Sequence, residues 1–250
     1  MNIKKEKPER IDKVLVELGL ISSLTRAQAM ILAGHVLMND EPVTKPGMMV
    51  LKSGEFRLRE SEVKYVSRGA LKLKKALNEF NVEVVNKVAL DIGSSTGGFT
   101  EVLLENGIQL VHAIDVGTNQ LAWKIRSDPR VISKENYNAR YLEYDHFKLF
   151  FDVMVMDVSF ISIKLLLPAL QKVMKQGTNL VVLFKPQFEV DKKWVEEGGI
   201  VRNQEIAQGV MQDVIVWAEK EIGLTVKGMI PSPILGTDGN HEYLIHWIKE

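Results

Sequence analysis

From position 10 the apolar residues recur three and four apart. Ile11, Val14, Leu15 and Leu18 share one face of a predicted helix that Gly19 stops. Ser22 or Ser23 caps a second helix, whose inward stripe is Ala27, Met30 and Ile31 and whose end is Gly34. The period then drops to two. Val36 and Met38 alternate ahead of an Asn39-Asp40 turn and a return strand through Val43. Two helices and a small sheet are therefore predicted over residues 1–59, a small α+β domain, and a short polar connection follows over 60–66.

A larger domain is predicted over 67–250, opening with a helix that carries Leu71, Leu73, Ala76, Leu77 and Phe80. From Lys87 onward, short apolar runs alternate with helical stretches, the pattern of a doubly wound α/β sheet of the Rossmann-like kind. The strands expected are Val88 to Asp91, Leu110 to Ile114, one near Val131, Phe151 to Met156, Asn179 to Phe184, and an antiparallel last strand, Tyr243 to Ile248. Trp123, Trp194 and Trp217 are assigned to packing. Val195 to Arg202, with two glycines, is expected to form a mobile loop facing substrate.

Composition removes several classes of protein. Cysteine is absent, which excludes disulfide scaffolds, thiolate zinc sites, iron–sulfur clusters and cysteine nucleophiles; no metal site is expected. Hydrophobic residues make up 46% and charged residues 26%, ordinary for a globular chain. The charged start shows no secretory signal, and no apolar run is long enough to span a bilayer, so a cytoplasmic protein without membrane contact is expected. Net charge is zero but unevenly placed. Residues 1–75 carry 15 Lys plus Arg against 9 Asp plus Glu, while the remainder has 17 against 23. A basic N-terminal module on an acidic body suits a polyanion partner.

The first predicted strand of the body ends in D-I-G-S-S-T-G-G-F, Asp91 to Phe99. Gly93, Gly97 and Gly98 lack side chains where a turn can approach a ligand, and Ser94, Ser95, Thr96 and Phe99 share that turn. Asp115 ends the next strand, 24 residues on, and suits ribose hydroxyls. The spacing G-x-x-x-G-G differs from the G-x-G-x-x-G of dinucleotide sites, and Asp91 can face a cationic amino-acid group. These features favour S-adenosyl-L-methionine over a nicotinamide dinucleotide. Asn138 is a candidate for the adenine edge. Asp157, Lys185 and Glu242 end or begin strands at one edge of the sheet, and Lys72 on the preceding helix can reach it.

Two resemblances follow from these residues. Arg10, Asp12, Lys13, Arg26, Ala29, the A-G-H-V-L-M-N turn and Thr44-Lys45-Pro46-Gly47 resemble an S4 RNA-binding domain. Arg10, Lys13, Arg26 and Lys45, with Arg68 beyond the connection, are the RNA-binding candidates. Lys72, Asp157, Lys185 and Glu242 resemble the Lys-Asp-Lys-Glu tetrad of the FtsJ-like ribose 2′-O-methyltransferases. Together with S-R-G-A-L-K-L, D-V-S-F-I-S-I, L-F-K-P-Q-F-E, G-G-I-V-R and G-N-H-E-Y, they make the whole chain similar to the TlyA family, often labelled hemolysin A. That resemblance implies methyl transfer from S-adenosylmethionine to a ribose 2′-hydroxyl of ribosomal RNA, a cytidine in characterised members, with ribosomal RNA or subunits as partner. Rival readings are an RNA-binding assembly factor that keeps the fold, and a cytolysin. Position 157 onward reads D-V-S-F, not N-P-P-Y, so base amino-group methylation loses ground.

Overall fold

The computed structural model describes residues 7–21, 23–32, 34–58, 65–236 and 238–250. Ser22, one of the two predicted caps, and residues 59–64 of the predicted boundary and connection lie outside them. The chain divides into two units, Met1–Lys64 and Tyr65–Glu250.

In the first unit, β1 (Glu9–Arg10) leads into α1 (Ile11–Glu17) and then α2 (Leu24–Leu32). Ser23 Oγ accepts the Arg26 amide at 3.3 Å, as an N-cap does. β2 (Val36–Met38) and β3 (Glu41–Pro42) form the predicted hairpin, closed by Asn39 and Asp40, both at positive φ. The sequence pattern missed two short partners, β4 (Met49–Val50) on β1 and β5 (Phe56–Leu58) on β2. The core joins Ile11, Val14, Leu15, Ala27, Ile31 and Val36.

The second unit begins two residues inside the predicted connection. Tyr65 is buried, with its hydroxyl donating to Glu105 Oε2 at 2.8 Å, and the Val66 amide donates to Glu101 Oε2 at 2.6 Å. Helix α3 (Ala70–Glu79) follows, then β6 (Val88–Ile92), α4 (Gly98–Glu105), β7 (Leu110–Ile114), α5 (Trp123–Arg126), β8 (Val131–Lys134), β9 (Phe151–Met156), α6 (Leu167–Gln171), β10 (Met174–Phe184), α7 (Gln204–Trp217), β11 (Leu224–Pro231) and β12 (Tyr243–Lys249). The seven strands form one sheet in the order β8-β7-β6-β9-β10-β12-β11. The first five are parallel; β12 runs antiparallel between β10 and β11.

Order reverses at β6, with β7 on one side and β9 on the other, so the crevice beyond their carboxyl ends is the expected ligand site. Register makes that edge level. Ile92 pairs with Ile114 and Met156, Val182 pairs with Met156, and Phe184 pairs with Tyr243. The residues just past these pairs, Gly93, Asp115, Asp157, Lys185 and Glu242, therefore share one edge of the sheet. Its interior is packed by Leu90, Met154, Phe184, Leu180 and Trp247.

Two sequence expectations are corrected. Trp123 is 77% exposed and packs against little, because it opens the four-residue α5 with its side chain outward. Val195 to Arg202 is a tied turn rather than a free loop. Glu196 accepts from Arg202 Nε at 2.7 Å, and the buried Asn240 holds both the Val201 amide and the Gly199 carbonyl at 2.8 Å.

Candidate active site

The turn after β6 is shaped by what surrounds it. A Cβ on Gly93 would run into the Asp157 carbonyl oxygen, and one on Gly98 into Ser67 Oγ. At Gly97, where φ is +98°, it would meet Leu121 Cδ1 at 2.8 Å and Ile125 at 3.2 Å. The glycine spaces expected to admit a ligand are thus filled by the protein itself, and Gly97 faces packing rather than a cavity. They allow the turn to press against the segments that carry Ser67, Asp157 and α5, and so bring those segments to the crevice.

Two adjoining cavities open along this edge. One, of about 330 Å³, is polar and is lined by Lys72, Asp157, Lys185 and Glu242 together with Arg68 and the turn residues Gly93, Ser94, Ser95, Thr96, Gly98 and Phe99. The other, of about 310 Å³, has more apolar walls, among them Ile92, Ile114, Val116 and Leu166, with Asp115 and Asn138 at polar positions. Gly93, Ser95, Asp157 and Ser159 line both.

The four charged side chains form two ion pairs. Lys72 Nζ donates to Glu242 Oε2 at 2.6 Å, both groups largely buried although 170 residues apart in sequence. Lys185 Nζ lies 2.7 Å from Asp157 Oδ1 and donates to Ser159 Oγ at 2.9 Å. Pro186 holds Lys185 extended, with φ −119° and ψ 102°, so its side chain leaves the strand end toward the crevice. Glu242 is held in place from behind. Its Oε1 would be only 2.6 Å from a Cβ on Gly236, so the absent side chain there is what lets the carboxylate lie against that loop.

The remaining cofactor candidates divide. Asp115 accepts the Ser95 amide at 2.8 Å and the Gly117 amide at 2.7 Å, which fixes its carboxylate at the cavity wall. Asn138 Oδ1 accepts the Arg140 amide at 3.0 Å, capping a short turn, while the residue still lines the apolar cavity. Asp91 lines neither cavity: it is fully buried and accepts from Thr100 Oγ1 at 2.6 Å. Burial pushes its carboxyl up to about 7, with Asp157 and Asp115 adding repulsion and Thr100 opposing. Its Oδ1 meets no hydrogen-bond partner among the described residues. Among the described residues no cluster of His, Asp or Glu could hold a metal ion.

Sequence reasoning missed Ser67, Ser159, Leu235, Gln120 and Phe160 on these walls. Ser67 lies in S-R-G-A-L-K-L, and Ser159 and Phe160 in D-V-S-F, strings in which only the charged members signal chemistry.

In the first unit Arg10 is engaged rather than presented. It pairs with the buried Asp12 through Nε at 3.1 Å and Nη2 at 2.7 Å, and holds that carboxyl down to about 2. Lys13, Arg26 and Lys45 are exposed, and no ion pair among the described residues holds them.

Residues 65–249 match the model of the FtsJ-like methyltransferases, and residues 9–55 match that of the S4 domain. A Mycobacterium tuberculosis protein named 16S/23S rRNA (cytidine-2′-O)-methyltransferase TlyA is 41% identical over 96% of this chain and 89% of its own. This chain belongs to the FtsJ-like methyltransferases, in their TlyA group. A second relative, from Bacillus subtilis (strain 168), bears an rRNA methyltransferase name, YqxC. It is 44% identical over 96% of this chain and 85% of its own. A solved structure labelled a hemolysin, from Streptococcus thermophilus, superposes with a TM-score of 0.77 at 44% identity, covering 98% of this chain and 89% of that one.

Proposed function

We propose that this TlyA-group chain transfers a methyl group from S-adenosylmethionine to a ribose 2′-hydroxyl of ribosomal RNA, a cytidine as in the relative's name. The observation that carries this reading is the convergence of Lys72, Asp157, Lys185 and Glu242 on one polar cavity beside the 93–99 turn.

The residues present fit the cofactor. The apolar cavity offers Val116 and Leu166 to a flat base and the fixed Asp115 carboxylate to ribose hydroxyls; Ser94, Ser95 and Thr96 line the polar cavity, where an amino-acid group fits. Bound there, S-adenosylmethionine supplies an electrophilic methyl on a sulfonium sulfur. A ribose hydroxyl is a weak nucleophile, and Lys185 is the group at hand to orient it and stabilise charge developing on its oxygen. Asp157 steers the Lys185 ammonium, and Glu242 does the same for Lys72, so that alignment supplies much of the rate. Lys13, Arg26 and Lys45 of the S4 domain, with Arg68 at the cavity rim, supply cations for the RNA backbone.

Incubation with ribosomal subunits and labelled S-adenosylmethionine, followed by mapping of alkali-resistant linkages, tests the reading. Labelled 2′-O-methylcytidine is expected, and Lys185→Ala should remove it while cofactor affinity stays. Undiminished labelling in that variant would reject the role of the four residues. Absence of labelling with any RNA would leave an RNA-binding factor. The hemolysin label of the Streptococcus structure gains no support from the helices: among the described residues, none is long and apolar enough to cross a membrane.

A further inference from the structure

Lys185 ends a flexible four-carbon stem, and an ammonium carries three donors that rotate freely about the last bond. One carboxylate at 2.7 Å fixes only one of them, leaving the other two to sweep the cavity. In this structure a second acceptor is present: Ser159 Oγ, 2.9 Å from Nζ. With Asp157 and Ser159 both engaged, one N–H is left, on a side chain that lines the polar cavity.

The backbone around Ser159 is arranged to keep it there. The next residue, Phe160, holds φ at +64°, a left-handed conformation that costs an aromatic residue energy and persists only where its surroundings enforce it. Those surroundings are visible. Glu189, just past the Lys185 turn, accepts the Ser162 hydroxyl at 2.7 Å and the Ile163 amide at 2.8 Å. The Phe160 ring lies 5.1 Å from that of Phe188. The turn after β9 and the turn after β10 are therefore tied together by the Glu189 hydrogen bonds, by the Phe160–Phe188 contact and, through Lys185, by both the Asp157 ion pair and the Ser159 hydrogen bond.

We propose that Ser159 is a positioning residue, which acts through Lys185 by fixing the direction of its remaining donor toward the reacting hydroxyl. The proposal rests on the reading of Lys185 as the group that orients that hydroxyl. Ser159 is exposed, so removing its own hydroxyl leaves no buried gap.

Three variants, Ser159→Ala, Ser159→Thr and Lys185→Ala, are compared in single-turnover methylation of unmethylated ribosomal subunits, alongside calorimetric titration with S-adenosylhomocysteine. Ser159→Ala is expected to slow methyl transfer about tenfold, the loss of one orienting hydrogen bond, with nucleoside affinity within about twofold of the parent. Ser159→Thr, which keeps the hydroxyl, is expected to restore most of the rate. An unchanged rate in Ser159→Ala would overturn the proposal. So would a loss of affinity matching the loss of rate, which would make Ser159 a cofactor contact, or a threonine variant as slow as alanine. If Lys185→Ala is inactive while Ser159→Ala is normal, only the positioning role falls. If Lys185→Ala is fully active, the reading of the site falls with it.

Discussion

Asp91 stands out in the sequence because it precedes a glycine turn, and the structure gives it different company from the one expected. It is enclosed against Thr100 and reaches neither cavity. Sequence position told that an acid ends β6; it could not tell that β6 ends one residue later, at Ile92, leaving Asp91 inside the sheet. The consequence is measurable. Asp91 releases its proton near pH 7 in the folded chain but near 4 when unfolded. Between those values the folded state holds the extra proton, so this group makes stability fall as pH rises through the window, by at most about 4 kcal/mol. Denaturant unfolding of parent and Asp91→Asn from pH 4 to 8 should show a steeper decline in the parent. Parallel curves would mean the carboxyl is ionised throughout. The same contrast between type and place applies to Ser159. Serines are common and uncharged, so no spacing signals one, whereas Lys185 and Asp157 are marked by their strand ends.

Among the elements, the strands buried on both faces were the legible ones. β7 and β9 coincide with their predicted runs, because Leu110–Ile114 and Phe151–Met156 are mostly apolar, interrupted once each by His112 and Asp152, and each is followed by an acid. Others escaped. β10 begins five residues early, at Met174, through Lys175, Gln176 and Gly177, which carry no apolar pattern and sit at an irregular stretch of the ladder. β11 is the sheet's edge and contains Gly228, whose missing side chain admits the Phe80 ring from behind α3. Helix α4 carries a further element-scale feature in Glu101, a nearly buried carboxylate that holds the Val66 amide ahead of α3 and Lys124 of α5. Glu101→Ala strips the Val66 amide of its acceptor. A loss of about 1–3 kcal/mol in denaturant unfolding is expected, together with easier proteolysis near residue 66. Unaltered stability would show that water replaces the carboxylate.

At the scale of the molecule, zero net charge conceals a basic stretch over residues 1–75 and an acidic remainder, plain from residue counts; the first unit itself holds 11 Lys plus Arg against 9 Asp plus Glu, and the rest of the excess, Arg68, Lys72, Lys74 and Lys75, belongs to the second. Which cations are presented was not. Arg10 looked equivalent to Lys13 and Arg26, but its guanidinium serves the buried Asp12. Replacing Lys13, Arg26 and Lys45 with Gln is expected to weaken RNA association and to reduce the slope of log affinity against log salt, by about one unit for each phosphate no longer neutralised. Arg10→Gln should act mainly on the stability of the small unit. Filter binding across a salt series separates the two, and an unchanged slope in the triple variant would place the RNA surface elsewhere.

Lys72 finds Glu242 only because β12 enters the sheet between β10 and β11, two strands that precede it in the chain. The pair therefore depends on β12 lying in register between those two strands. Anything that shifts β12 against β10, however distant along the strand, withdraws Glu242 and leaves a largely buried ammonium without its counter-ion, so a defect far down the strand is felt at Lys72.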